Sequence, residues 1–153
     1  MAEPAGPASV SVDVQIDAPP HAVWAAVVDW DRQSEWMLGT TVRATTGGGV
    51  GIGAGVEAFT GVGRLGFADT MVITEWEPPV RCTVTHTGRL VRGTGVFEVF
   101  ALPSARSRFV WSEHLELPLG PFGRAGWPVA KALLVAGVRA SLTRLARTVE
   151  AGG

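Results

Sequence analysis

Three residues of this chain have the types and spacing for proton transfer: Asp69, His86 and Glu113. The stretch "DTMVITEWEPPVRCTVTHTG" runs from Asp69 to Gly88 and reads as two β-strands folded about a Pro-Pro corner. An antiparallel hairpin brings the aspartate that opens the first strand close to the histidine near the end of the second. Glu113 lies further on, in the alternating stretch "FVWSEHLEL". A carboxylate beside an imidazole raises the imidazole's pKa and fixes its tautomer. A second carboxylate in apolar surroundings has a raised pKa and serves as an acid. No metal is needed for this chemistry, and no helical histidine pair or facial triad of ligands stands in the sequence.

Side-chain alternation assigns these residues to faces. In "LGFADTMVI" the apolar set is Leu65, Phe67, Met71 and Ile73, and Asp69 shares it. In "CTVTH" His86 shares a face with Cys82 and Val84. Glu113 shares one with Phe109, Trp111, Leu115 and Leu117, and "GTGVFEVFA" contributes Gly93, Gly95, Phe97, Val99 and Ala101. If the Pro78-Pro79 corner sets Trp76 opposite Arg81, Asp69 falls near His86 or Gly88. A turn at "GRLVR" then brings His86 near Gly95, and a tight loop at "PSAR" brings Glu113 near Gly95 or Phe97. The three polar groups are therefore expected to share one wall, with room over Gly93 and Gly95. The bland alternative is a polar trio that satisfies its own hydrogen bonds, or orients a ligand without chemistry. His114 and Glu116 fall on the opposite face, and His21 follows two prolines in a surface helix. Glu57 and Arg64 flank a strand turn near the expected pocket mouth, where Arg64 is either a contact for an acidic head group or an exposed cation.

The elements that must position this wall are legible in order. Residues Met1 to Ala8 are small and aperiodic, and are expected to be a disordered tail ahead of one domain over 9–151. "SVSVDVQIDA" alternates with Val10, Val12, Val14 and Ile16 on one face. "APPHAVWAAVVDWDRQSEWM" predicts two short helices, with Asp17 as cap or turn, the proline pair opening the first, and Val23, Trp24 and Val27 at helical spacing. "TTVRATT" is a strand, and the glycine run after it predicts a flexible turn. A phosphate-binding loop is rejected there, because no Lys-Ser/Thr follows and the next element is a strand. Strands over 56–61, 65–76, 80–87, 91–102 and 107–117 follow. One long helix over 126–151 carries Leu134, Val138, Leu142, Leu145 and Val149 as a stripe. Its first half, with Trp127, Ala130, Leu133 and Gly137, is apolar over a wider arc and is expected to be buried on more than one side. A single helix across a curved antiparallel sheet leaves a cavity between them, where a ligand would sit.

Composition narrows the function. At 153 residues the chain suits one domain, and 46% hydrophobic residues supply a core. Thirteen basic against fourteen acidic residues leave no overall basic character, so nucleic acid is not the expected partner. The single cysteine, Cys82, rules out an internal disulfide and a thiolate metal cluster. The N-terminus lacks a basic and apolar leader, and the longest apolar run is interrupted by Lys131. The expectation is a cytoplasmic protein without stable membrane insertion or cofactor, its oligomeric state open. There is no tyrosine to serve as an acid. The tryptophans Trp24, Trp111 and Trp127 are expected in core and pocket wall.

"IDAPPHAVWAAVVDWDRQSEW", "ITEWEPPVR" and "GTGVFEVFALPSARSRFVWSEHLELPLGPFG" together resemble the START-like, or SRPBCC, superfamily. The nearest branch is the polyketide cyclase/dehydrase and lipid-transport family in its actinobacterial form, and the likeness covers the chain beyond Ala8. It implies an α+β helix-grip fold: a seven-stranded antiparallel sheet curved around a long C-terminal helix, with two short helices after the first strand. It also implies an internal pocket for a hydrophobic, polyketide- or lipid-like molecule. Phe59, Phe67, Met71, Val84 and Gly95 are the expected lining on the strands, with Phe97, Val99 and Trp111. Leu133 and Gly137 are the expected lining on the helix. Aldol cyclisation or dehydration of a polyketone needs a proton donor and acceptor. His86 would be that base or acid, Asp69 its orienter and Glu113 the partner acid. A non-catalytic carrier or sensor, or a protein-interaction module, is the alternative, since fold does not dictate function.

Overall fold

The computed structural model describes residues 8–117 and 120–152. Its strands are β1 (Ala8–Ile16), β2 (Thr40–Thr46), β3 (Gly55–Val62), β4 (Leu65–Glu77), β5 (Arg81–His86), β6 (Gly93–Leu102) and β7 (Arg106–Leu115). Helix α1 (Pro20–Val27) and a short 3-10 helix (Trp30–Glu35) lie between β1 and β2, and α2 (Gly120–Glu150) closes the chain. The seven strands form one antiparallel sheet in the order β1-β7-β6-β5-β4-β3-β2. Strands β2 to β7 thus run as a meander, and β1 pairs with β7. This is the helix-grip arrangement.

The alternating valines of β1 put Val10, Val12 and Ile16 into the core and Ser9, Ser11, Asp13 and Gln15 into solvent. Ala8, expected in the tail, is buried and pairs with Leu115, so the strand starts one residue early; residues 1–7 lie outside the described residues. In α1 the backbone amides of Ala22 and Val23 both bond to the carbonyl of Pro19, and Asp17 caps nothing. Val23, Trp24 and Val27 are buried as the spacing predicts, and Trp24 meets Trp76 edge-on at 5.2 Å. The glycine run is not a free turn. Trp30 Nε1 donates to the carbonyl of Gly49 at 2.8 Å. Gly49 has φ +68°, and a Cβ there would sit 2.4 Å from the Trp30 ring.

The long helix departs most from expectation. It begins at Gly120, six residues before the predicted start, and its fully buried residues, Val138, Ser141, Leu142, Leu145, Ala146 and Val149, all lie in its second half, while Trp127, Leu134 and Val135 pack half-buried against the core. The first half carries no fully buried residue, and Phe122, Val129 and Leu133 are largely exposed. Length explains this. Thirty-one helical residues extend about 46 Å at 1.5 Å per residue, longer than any strand of the sheet, about 30 Å for β1 and about 43 Å for β4. The helix overhangs one end of the sheet, and the overhang is apolar.

Leu145→Ala should therefore cost about 2–5 kcal/mol, because it opens a cavity in packed core. Phe122→Ala should change stability by less than about 0.5 kcal/mol. Urea unfolding of the two variants checks the contrast, and a large loss for Phe122→Ala would contradict the overhang.

Candidate functional site

The β4–β5 corner joins Glu77 to Arg81 and Trp76 to Cys82, one residue off the pairing expected from sequence. A bulge at Thr74 absorbs the difference, so Met71 faces His86 as that pairing required. On the other side His86 faces Gly93, two residues from the expected Gly95, and Gly95 faces Val84 on β5 and Glu113 on β7. A two-residue slip leaves the face unchanged, so His86 and Glu113 still point the same way.

Asp69 lies two residues beyond Met71 along β4, and its carboxylate reaches His86 diagonally. Nδ1 of His86 stands 3.0 and 2.9 Å from the two Asp69 oxygens. Nε2 stands 3.0 Å from Glu113 Oε2, across β6. Glu113 Oε1 accepts a hydrogen bond from Trp111 Nε1 at 2.8 Å. The bridge across β6 exists because Gly95 has no side chain. A Cβ there would sit 2.9 and 3.2 Å from the two Glu113 oxygens. Gly93 serves the backbone instead: at φ +119° a Cβ would collide with the carbonyl of His114.

The His86 side chain is only 5% exposed, with Asp69 and Glu113 nearly as buried. With a carboxylate oxygen at each ring nitrogen, the geometry fits an imidazolium that donates twice. Burial is the largest single influence on His86 and opposes its charge. The hydrogen bonds to Asp69 and Glu113, reinforced by their negative charges, together outweigh it and push the pKa up to about 9.

These groups form part of the wall of a cavity of about 460 Å³ between the sheet and α2. The remaining wall is mainly apolar, and among the described residues no Lys or Arg lines it. Its other polar side chains are mostly engaged. Gln33 Nε2 donates to the Val27 carbonyl at 2.6 Å, the Thr40 and Thr60 hydroxyls bond each other, and Ser141 Oγ donates to Gly137 while accepting from the Leu38 amide. Cys82 also lines the cavity, but burial pushes its thiol up to about 12, so it stays protonated and is a poor nucleophile. Among the described residues no group of three or more His, Cys, Asp or Glu side chains is arranged to hold a metal ion.

Of the lining expected from sequence, Phe67, Met71, Val84, Gly95, Phe97, Trp111, Leu133 and Gly137 line the cavity together with the polar trio. Phe59 and Val99 do not. Phe59 is on the outer face of β3, over Gly66, because Val56, Ala58 and Thr60 point inward. Glu57, on Phe59's face and paired with Arg43 at 2.9 Å, was the available signal. Val99 is buried in the core beyond the cavity. Trp30, Gln33, Met37 and Leu38 also line the cavity. Trp30 and Gln33 come from the 3-10 helix and Met37 and Leu38 from the turn after it; Trp30, Gln33 and Met37 stand at helical spacing, the signal that could have marked this face.

The sequence profile of the polyketide cyclase / dehydrase and lipid transport family matches residues 7–150. No curated protein matches the chain. Solved structures share the fold at low identity. The Zhui aromatase/cyclase from a Streptomyces species superposes with a TM-score of 0.76 at 16% identity, over 94% of this chain and 93% of that one. The Thermus thermophilus protein TTHA0849 gives 0.73 at 18% identity, over 95% and 99%. The Aha1 dimer from Colwellia psychrerythraea gives 0.67 at 15% identity, over 94% and 96%.

The Gly95 lane can be tested directly. Gly95→Ala should push the Glu113 carboxylate off Nε2 and bring the His86 pKa down from about 9 toward its ordinary value, read by NMR titration of the ring. An unchanged titration would show that the trio does not depend on the lane. Stability should also carry the trio's signature. Its contribution is complete below about pH 6.5, where histidine in the unfolded chain is charged as well, and is lost as pH rises through about 9. Denaturant midpoints across that window should fall for the native chain and stay nearly level for His86→Gln.

Proposed function

Because the chain belongs to the polyketide cyclase / dehydrase and lipid transport family, we propose that its cavity binds a hydrophobic, hydroxylated or keto-bearing small molecule and that the Asp69–His86–Glu113 trio moves protons on it. The observation that carries this reading is a doubly hydrogen-bonded histidine, buried between two carboxylates in the wall of an otherwise apolar cavity. Binding alone requires only apolar surface and one or two polar anchors. A carboxylate and an imidazolium held side by side provide both a base and an acid.

The roles follow from who holds protons. Asp69 fixes the ring through Nδ1–H. A substrate carbonyl oxygen that takes Glu113's place at Nε2 receives the imidazolium proton as it becomes an alkoxide. The displaced Glu113 carboxylate removes a proton from the carbon that forms the new carbon–carbon bond. Glu113 ends protonated and His86 neutral, and one transfer across their 3.0 Å contact resets the pair. Loss of the resulting hydroxyl as water uses the same two groups: the imidazolium protonates the leaving oxygen and the carboxylate takes the adjacent carbon's proton. His86 is thus the acid and Glu113 the base, the reverse of the assignment of Glu113 as partner acid, because both ring nitrogens already donate. The name of one structural neighbour, an aromatase/cyclase, supports this reading.

The trio also sets ligand polarity. Two carboxylates and one imidazolium leave one excess negative charge, and among the described residues no Lys or Arg lines the cavity to balance an anionic ligand. Neutral molecules with hydroxyl donors fit, and carboxylates do not. The second reading, a carrier without turnover, draws on the same saturation: every ring nitrogen of His86 is already bonded, so the trio also works as a static anchor.

Native mass spectrometry of the purified protein, followed by denaturation and identification of any released compound, supplies the ligand class. Among probes, a hydroxylated polycyclic aromatic should bind at least about tenfold tighter than its carboxylate analogue; equal affinity would remove the charge argument. With a polyketone substrate, His86→Gln should reduce turnover at least about a hundredfold while largely sparing binding. A change in affinity alone, with no turnover in the native chain, would establish the carrier.

A further inference from the structure

Three segments meet at one end of the molecule. In a meander of antiparallel strands, the β3–β4 hairpin tip and the β5–β6 loop emerge from the same end of the sheet, and β7 ends there before α2 begins. The cavity reaches this end, since Phe67, Val91, Leu115 and Leu133 line it. Around it large apolar side chains stand in water: Val62 (85% exposed) and Leu65 (83%) on the hairpin, Leu90 on the loop, and Phe122 (82%), Val129 and Leu133 (70%) on the overhang of α2. Isolated exposed hydrophobes are ordinary, but six from three segments gathered at one end are not.

Charge separates the same segments from the rest of the chain. Residues 61–68, 87–92 and 120–137 hold Arg64, Arg89, Arg92, Arg124 and Lys131 and no acidic residue, and the end of β7 beside them adds one exposed carboxylate, Glu116. All five cations are exposed. Arg92 meets Glu116 at 3.5 Å, and the other four have no ion-pair partner among the described residues. In a chain with net charge −1, such segregation defines a cationic, apolar end.

The geometry points to reversible docking of this end on an anionic lipid bilayer, with the cavity mouth facing the acyl chains. Leu, Val and Phe tips suit the acyl boundary, while Arg and Lys stems lie along it with their charges at the phosphates. A second copy of the chain is a poor occupant, because it would set five cations against five. The docking proposed is peripheral; among the described residues no helix is long and apolar enough to cross a membrane. It gives a hydrophobic ligand a route between bilayer and cavity that does not pass through water. The docking itself rests on the surface and not on the proton chemistry, so the two fail separately.

The test is co-sedimentation with phosphatidylcholine vesicles, with and without phosphatidylglycerol. The native chain should bind the anionic vesicles at least about tenfold more tightly, and raising salt to about 0.5 M should release it. Each cation near an anionic surface contributes roughly fivefold, so Arg64→Glu, Arg89→Glu and Arg124→Glu combined should lose at least about a hundredfold. Leu65→Ser with Phe122→Ser keeps every charge and should weaken binding at least about tenfold. Circular dichroism and thermal unfolding verify that these surface variants fold, and His86→Gln should sediment like the native chain. No binding to anionic vesicles at low salt, equal binding to both vesicle types, or undiminished binding by the charge-reversed variant would overturn the proposal. So would a native dimer that Leu65→Ser with Phe122→Ser converts to monomer, since that makes the face a self-association surface.

Discussion

A charged imidazole in an apolar wall is unfavourable unless both of its N–H groups have acceptors, and the surrounding architecture follows from that requirement. Taking His86 out of water disfavours its charge, and only two carboxylates, one at each nitrogen, reverse the balance. Those carboxylates come from two other strands, on either side of β5. The bulge at Thr74 keeps Asp69 within diagonal reach, and Gly95 keeps β6 from blocking Glu113. Trp111 then occupies the second Glu113 oxygen. Each device is ordinary alone. Together they hold three ionisable groups in a cavity wall with hydrogen bonds throughout.

The cavity has a separate origin. The second half of α2 fills part of the sheet's concave side and carries most of that helix's buried surface. The first half continues past the sheet and leaves space beneath it, with Trp30, Gln33, Met37 and Leu38 forming another wall. The wall is polar at the trio and nearly dry elsewhere, because Thr40, Thr60, Gln33 and Ser141 direct their hydrogen bonds within the protein. A hydrophobic ligand with one polar end matches that distribution. The same overhang that opens the cavity leaves apolar side chains in solvent, so the pocket and the exposed apolar end share one cause, a helix longer than the sheet it crosses.

Strand alternation, helical spacing and turn residues are local, and they were legible. Val10, Val12 and Ile16 face inward as their spacing requires, and the seven strands and long helix stand in the order the residues spell. The faces of Asp69, His86 and Glu113 were legible too, because a two-residue slip does not change a side chain's face, and the observed pairing of His86 slips by two. Phe59 faces outward with Glu57, opposite the inward set Val56, Ala58 and Thr60, so its bulk and apolarity alone do not place it in the cavity.

Element order, inward faces and the identity of the polar groups are thus written in the residues themselves. These depend on neighbours within a few residues. Which of those groups touch, that His86 stands between two carboxylates, and that the 3-10 helix and the turn after it complete the cavity depend on how distant elements pack. So does the first half of α2 standing largely in solvent, with only Trp127, Leu133, Leu134 and Val135 turned to the core or cavity. Apolar spacing along a helix reports what the helix can bury, and only the length of the sheet opposite decides what it does bury.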